Sequence, residues 1–481
     1  MTPFPAWEPD KSIYNTNAAA MVLNAKPRLD GWSPISSLVP FTAALPAKPR
    51  GMFTKEAADG TKFTFVGTAT KLYKLSPTNN WDDVSTGSYA LPLNAFWSFC
   101  CFGNRIIAVN SASNPQYYDI GVSTVFQDLP GSPPRAAYVS IVGDMVVLAD
   151  LLGAKNKIHW SGINNSEQWT VGQNLSDVNE FPDGGAIMAV VPYPGGAYIL
   201  QRYSIRQMQY APTSGFTFTF GVINDAIGCI SPYSVASLSA GDFIWYSDTG
   251  FKRGPSATPI GMEIVDNFFG QKVDAGKINE ILSAIDFYDN IVWFSFTTRT
   301  GVVQLIGFDY QINRWMYSDT AALSHGIAAS QPVTFEALAL RYTLMDGVPL
   351  LYDDLSLQGG RFFFAGFDSL FRLCFATGPN LAAQIETNTM HLIPDRRSYV
   401  RAVQVVGSIA APDYTVSVGY SATYGMALDG VKDGCAPSTR TRIVPIGKSG
   451  RVHKFTLKLM AGQIWDIVSG LMIDVIPEGK Q

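Results

Sequence analysis

Four histidines, His159, His325, His391 and His453, are the only imidazoles in this chain, and none falls in the HxH, HExxH or HxxE spacings that hold a zinc ion. A solitary histidine in a strand is ordinarily structural, so neither metal chemistry nor imidazole catalysis is expected. Carboxylates offer a second route. Asp248, Asp266, Asp286 and Asp309 include enough acids for the pair that a glycosidase sets about a glycosidic bond. Asp248 in YSDTG and Asp309 in FDYQ nevertheless stand at strand ends, where a carboxylate satisfies turn amides. SDTGF resembles the SxDxGxxW box of sialidases, but Ser247 and Asp248 are adjacent instead of one residue apart. No GxxxxGKS/T, no GxGxxG after a strand and no GxSxG occurs, which leaves no phosphate cradle and no nucleophile elbow. DGVKDGC, from Asp429 to Cys435, has acidic spacing without the later ligands of a calcium loop and reads as a turn. The expectation is a chain without catalytic residues, cofactor or metal, and not an enzyme.

Two features point to binding instead. In IHWSGINNSEQW, Trp160 and Trp169 flank a polar loop, as the rings of an aromatic clamp for a sugar or a base would. In PDRRSYVR, Arg396, Arg397 and Arg401 form the strongest cation cluster, which reads as a solvated or intersubunit face ahead of a DNA phosphate contact.

Composition narrows the class. A net charge of −4 gives no basic field for gripping nucleic acid, and only 15% of residues are charged, which suggests that partner subunits cover part of the surface. With 43 glycines, 29 prolines and 12% aromatics, the chain favours many short strands and tight turns. The 5 cysteines, Cys100, Cys101, Cys229, Cys374 and Cys435, show no CxxC spacing and read as free, mostly buried thiols made in a reducing compartment. No basic-then-apolar signal opens the chain. The longest uncharged run, from Val84 to Asn104, is broken by proline, glycine and asparagine, so no membrane insertion is expected.

A repeat organises the middle of the chain. An alternating apolar strand, a tight turn and a second apolar strand recur, with turns at Asp59-Gly60, Gly103-Asn104, Gly143-Asp144, Gly195-Gly196, Gly241-Asp242, Asp289-Asn290 and, less regularly, Gly359-Gly360. The first six lie 40 to 52 residues apart, the period of a four-stranded propeller blade. An aromatic follows five of these turns by 21 to 25 residues: Trp81, Phe126, Trp169, Phe218 and Trp315. Such a ring can anchor the outer strand of one blade against the next. The fifth unit breaks the series, since Phe268 comes late, and an extra segment with its own Asp346-Gly347 turn leaves six and seven blades open. Trp160 has no counterpart, because Leu72, Tyr117 and Ile306 stand near its place in other units, so it marks a contact specific to its unit or a surface met by another chain.

The expected fold is therefore all-β: a β-propeller over residues 51–380, an extended N-terminal arm over 1–50 with a short helix near Asn17 to Leu23, and a C-terminal β-rich domain over 381–481. The last reads as a β-sandwich, or as strands that complete the last blade.

The succession FVGTATKLYKL, FWSFCCFGNRIIAVN with NPQYYD, IHWSGINNSEQW, ILQRYSIRQMQY, GVINDAIGCISPYSVASLSAGDFIWYSDTGFKR and FDYQINRW resembles the tail nozzle family of short-tailed bacteriophages. These are also called tail tubular protein B or packaged-DNA stabilisation proteins. The likeness runs from about residue 50 to 320, with a weaker echo near the C-terminus. It implies a virion structural protein, made in the host cytoplasm, that forms a hexameric ring below the portal and its adaptor. That ring would line the DNA exit channel, touch duplex DNA transiently and carry tail fibres or spikes. The family has no catalytic residues to transfer. The competing reading is a glycan-binding or glycan-cleaving receptor-binding propeller with Trp160 and Trp169 as its platform; a cellular scaffold would be expected to show WD or kelch signatures, which are missing.

Overall fold

The computed structural model describes residues 1–57, 60–212, 215–239, 241–320, 325–329, 362–394, 396–410, 413–423 and 428–479, with the backbone alone at 325–329 and 362–363. Strands make up 53% of the described residues and helices 4%, so the fold is all-β. The turns expected at Gly359-Gly360 and Asp346-Gly347, Asp59 of the first turn and the side chain of His325 lie outside the described residues.

Among the described residues, seven antiparallel four-stranded units follow one another in a propeller-like arrangement, the larger of the two blade numbers expected. Blade 1 comprises Met52–Glu56, Lys62–Gly67, Leu72–Leu75 and Trp81–Asp83, and blade 2 Ser98–Phe102, Arg105–Val109, Gln116–Asp119 and Gln127–Asp128. Blade 3 comprises Ala136–Val142, Met145–Leu151, Ala154–Trp160 and Asp177–Glu180, and blade 4 Ile187–Tyr193, Gly196–Gln201, Ile205–Tyr210 and Phe218–Asn224. Ala236–Ser239, Asp242–Ser247, Gly250–Arg253 and Thr258–Pro259 form blade 5, and Leu282–Asp286, Ile291–Thr297, Val303–Asp309 and Arg314–Ser318 form blade 6. Blade 7 takes His325–Ala329, Phe362–Phe367 and Arg372–Phe375 from late in the chain and its outer strand, Val39–Ala44, from the start.

Turn chemistry explains the first hairpins of blades 2 and 3. Gly103 and Gly143 hold φ of 63° and 57°, in two-residue turns between Phe102 and Arg105 and between Val142 and Met145. Two turns differ from expectation by one residue. Tyr193 pairs with Gly196 and Ser239 with Asp242, so Gly195 and Gly241 are the second turn residues and carry the positive φ. In blade 6, Asp286 pairs with Ile291, and the loop is longer than the Asp289-Asn290 pair alone.

Apolar side chains collect at the seams between blades. Separate cores lie between blades 1 and 2, 2 and 3, 3 and 4, 4 and 5, and 7 and 1, while the largest covers blades 5 and 6 and continues into the C-terminal region. Second strands are covered on both faces, so they read as near-continuous apolar runs such as MVVLADL, broken only by Asp150, and IVWFSFT.

Residues beyond the propeller build two facing sheets. Ser398–Ile409, Ile443–Gly450 and Trp465–Pro477 join the N-terminal hairpin Ala25–Arg28 and Gly31–Pro34 in one. Ala383–Thr387, Val452–Leu459, Tyr414–Ser421 and Gly430–Cys435 form the other, and Val403, Val444 and Val468 share a core with Val416, Phe455 and Leu457. This second sheet is continuous with blade 6, making ten strands in all, because Ala18–Leu23 lies between Arg314–Ser318 and Ala383–Thr387.

The first fifty residues thus depart from the expected arm. The helix anticipated near Asn17 to Leu23 is the strand Ala18–Leu23, since AAAMVL sits between two strand edges whose amides and carbonyls need partners. Asn24 ends that strand at φ 56°, a conformation asparagine tolerates better than most residues. Its Nδ2 donates to Asp319 Oδ1 and to the Ala382 carbonyl, both at 2.8 Å. Its Oδ1 accepts from Ser318 Oγ at 2.8 Å and from the Asp319 amide at 3.2 Å, and its own amide donates to the Tyr317 carbonyl at 2.9 Å. Asn24→Ala is therefore expected to lower the unfolding free energy by about 2–4 kcal/mol, and Asn24→Gly, which removes the bonds but accepts the φ, by less. Urea titration followed by tryptophan fluorescence measures both; a loss below about 1 kcal/mol for the alanine variant would show that this junction does not hold blade 6 to the second sheet.

Candidate functional site

The five repeating aromatics each face the preceding blade. Trp81 starts the fourth strand of blade 1, and its Nε1 donates to the Ala43 carbonyl at 3.1 Å, on the strand that completes blade 7. Phe126, just before the fourth strand of blade 2, is fully buried 5.6 Å from Phe65 of blade 1. Phe218 opens the fourth strand of blade 4 and meets Trp160 of blade 3 edge-on at 5.3 Å. Trp315, in the fourth strand of blade 6, is 1% exposed, lies 4.8 Å from Phe251 of blade 5 and donates to the Ile260 carbonyl at 3.0 Å. Trp169 packs on blade 2 in the same sense, but sits in the loop before the fourth strand of blade 3, which begins only at Asp177. In blade 5, Ala257 lies in the seam core with blade 4, while Phe268 belongs to the helix Asp266–Lys272 and packs on Trp7 and Tyr317.

Trp160 is corrected from a possible interaction surface to an interior residue. It is 2% exposed, filled against Phe218 and Phe220, and its Nε1 donates to the Leu175 carbonyl at 2.8 Å. With Trp169 at 4% exposure, neither ring offers a face to a sugar or base.

The arginine cluster disperses. Arg396 is exposed, the Arg397 carbonyl accepts from the Glu478 amide at 2.9 Å, and Arg401 Nε donates to Asp474 Oδ2 at 2.6 Å across neighbouring strands. Pairing with Asp474 takes much of the charge that Arg401 would otherwise present to a phosphate.

Two of the acids serve turns. Asp309 Oδ1 accepts the amides of Gln311 and Ile312 at 3.0 and 3.1 Å, and Asp286 Oδ1 those of Tyr288 and Asp289 at 3.0 and 3.3 Å. Burial raises the pKa of both, with the Asp289 charge adding to the rise at Asp286. Asp289 itself is held below the usual range by Lys26 at 2.5 Å and Arg28 at 3.2 Å, despite its burial. Asp266 is wedged so tightly that a Cβ on Gly250 or Gly261 would come 2.0 or 2.1 Å from its carboxylate oxygens. No room is left there for a substrate. Asp248 lies exposed at its turn.

Of the histidines, His453 is fully buried between the two C-terminal sheets, 2.9 Å from Ser398 Oγ, and burial pushes its pKa down. His159, edge-on to Trp169 at 5.4 Å, is likewise lowered by burial, and His391 is exposed. No group of three or more metal-ligating side chains occurs among the described residues, and no helix there is long and apolar enough to cross a membrane.

The propeller axis itself is a cavity of about 310 Å³ walled by the first strands of the blades, including Phe53, Phe99, Val139, Met188 and Leu282. Among the described residues its wall contains no charged side chain. Charge is used at the seams instead: Arg105 of blade 2 grips Asp119 at 2.7 Å and reaches Glu167 of blade 3 at 2.6 Å. One mouth of the axis, a cavity of about 380 Å³, differs in holding Asp150 and Lys155. Sequence reasoning missed Asp150, whose only signal was an acid inside the apolar run MVVLADL.

No protein-family model matches the chain, and no curated protein matches it. Among solved structures, the computationally designed Ika8 protein aligns at 9% identity with a TM-score of 0.37, over 78% of this chain and 99% of its own. A chain of the mitotic checkpoint complex aligns at 10% identity and a TM-score of 0.39, over 63% and 89%. Kluyveromyces lactis Hsv2 aligns at 10% and 0.34, over 62% and 96%. Likenesses at these scores carry no functional weight.

Two measurements check this description. Trp315→Ala is expected to cost about 3–5 kcal/mol in a denaturant titration, and a loss below about 1 kcal/mol would mean the ring is not the seam anchor described. Burial also raises Asp266 from 3.8 to about 6. The folded state therefore keeps a proton that the unfolded chain releases, a contribution fully present below 3.8 and lost as pH rises through about 6. Asp266→Asn should flatten the fall in Tm between about pH 4 and pH 7; an unchanged slope would show the carboxyl to be hydrated.

Proposed function

We propose that this chain is a structural, non-enzymatic subunit of a short-tailed phage tail nozzle. In this reading six copies form a ring below the portal adaptor, line the DNA exit channel, retain and then guide the genome, and anchor tail fibres or spikes. The ordered motifs from about residue 50 to 320 are the source of the reading. The glycan-binding alternative loses its platform with the burial of Trp160 and Trp169.

The observation that carries assembly is the outer edge of blade 4. An open strand edge is a template for another chain, and monomeric proteins blunt it with short strands, charge, proline or a cover. Six blades follow that rule. Their outer strands read WDD, QD, DVNE and TP in blades 1, 2, 3 and 5; blade 7 places Pro40 in its edge, and Ala18–Leu23 covers blade 6. Blade 4 ends in FTFGVIN, seven residues with neither charge nor proline, and no strand pairs with its outer side among the described residues. Val222 is 51% and Ile223 40% exposed there. An edge of this kind supports burial against another subunit.

Val222→Lys combined with Ile223→Lys is expected to shift the ring toward monomers in mass photometry, while changing monomer stability by less than about 1 kcal/mol. Wild-type protein that stays monomeric with its adaptor ring, or a double variant that assembles as wild type does, would overturn the proposal.

A further inference from the structure

The mouth of the propeller axis has features that seam packing does not require. Asp150 lies at an irregularity between the second and third strands of blade 3, where pairing jumps from Ala149 to Leu151, and it holds φ 56°. A bulge of this type re-aims a side chain, and a positive φ outside glycine has a conformational cost of roughly 1 kcal/mol or more. Asp150 lines the cavity of about 380 Å³, half-buried, and its Oδ1 has no hydrogen-bond partner. Leaving a buried acceptor unpaired is costly, and a site that needed only shape would place an apolar residue there.

The other walls come from separate parts of the chain. Tyr138 belongs to the first strand of blade 3, Tyr233 to the turn before blade 5, and Phe96 to the segment before blade 2. Tyr233 lies 4.8 Å from Phe96 and 6.0 Å from Tyr138, and its hydroxyl accepts from the Phe96 amide at 3.1 Å. The result is one continuous aromatic wall beside an unpaired carboxylate. Of the charged groups around it, Lys155 lines the rim and Glu280 lies beyond Asn94, within 3.1 Å of that residue's amide nitrogen. Acid thus exceeds base by one.

We propose that this mouth binds the ammonium group of a short alkylamine, with Asp150 as counter-ion and the faces of Tyr138 and Tyr233 along the alkyl stem. A compact cation in the cavity offsets the carboxylate charge and gains from the π-faces. A hard metal ion fits less well, since it takes several oxygen ligands and no group of three metal-ligating side chains occurs among the described residues. A neutral sugar would leave the charge uncompensated. The volume suits a small ligand. The same ammonium chemistry is offered by a free amine or by a lysine side chain of another protein.

Calorimetric titration of the full chain with n-butylammonium chloride tests the site, with n-butanol as the neutral control. Saturable binding of the amine and none of the alcohol is expected at neutral pH. Asp150→Asn, which keeps the shape and tolerates positive φ, should weaken binding at least about tenfold. Burial holds the Asp150 carboxyl up at about 6, so the wild-type protein should bind several-fold less amine at pH 5 than at about pH 7.5. This arm needs no variant to fold. Tighter binding of Nα-acetyl-lysinamide than of butylammonium assigns the site to a protein lysine, and weaker binding to a free amine. Equal affinity for amine and alcohol, no amine binding at neutral pH, or unchanged amine affinity both in Asp150→Asn and at pH 5, overturns the inference.

Discussion

A ring of sheets has no natural end, and everything in this molecule depends on how the seam between its last and first blades is closed. Here the chain closes it with its own beginning: Val39–Ala44 pairs with Arg372–Phe375, so blade 7 contains residues more than three hundred positions apart. Trp81 then donates across to Ala43, and Thr42 Oγ1 accepts the Leu373 amide at 3.0 Å. Most seams hold only a small core of their own, and opening one exposes an apolar sheet face on each side. A closing strand drawn from the opposite end of the chain makes that opening cost the ordering of the whole ring.

The same N-terminal segment does a second job. Ala18–Leu23 turns blade 6 and the C-terminal sheet into one continuous ladder, and Asn24 satisfies the backbone and side-chain groups left where Arg314–Ser318 ends. Propeller and sandwich are therefore joined by hydrogen bonds and a shared core, with Trp7, Trp315 and Trp465 in one apolar cluster. Rigidity at this junction follows from the buried side chains of Asn24 and Ser318, whose polar atoms have few alternative partners.

What the sequence made readable was local. Turns at Gly103 and Gly143 need only positive φ two residues from strand ends, and the aromatic marks at Trp81, Phe126, Phe218 and Trp315 keep a nearly fixed distance because the blade fixes it. Trp169 shows the limit: it keeps the spacing and the seam, but a longer loop moves its strand onward to Asp177. Non-local pairing was not readable. AAAMVL carries the propensity of a helix, and only the two open edges beside it, hundreds of residues away, make it a strand. Asp150 and the wall of Phe96, Tyr138 and Tyr233 were hidden for the same reason, since three of their four segments meet only after the ring has formed.

Geometry also constrains how any assembly of this chain can handle DNA. The axial cavity is about 310 Å³ and is filled by apolar and aromatic side chains from six blades. A double helix, whose major groove alone is about 12 Å wide, cannot pass through it. In the proposed nozzle the duct must lie between subunits, walled by outer surfaces of several copies and not by the propeller axis of one. That places the burden on how copies meet, and blade 4, whose edge alone among the described residues lacks the charge, proline or cover found on the other six, is the surface best fitted to bear it. In that proposed duct a cation already paired, as Arg401 is with Asp474, would hold a passing polyanion less than a free one, because each phosphate contact adds to a salt-dependent grip.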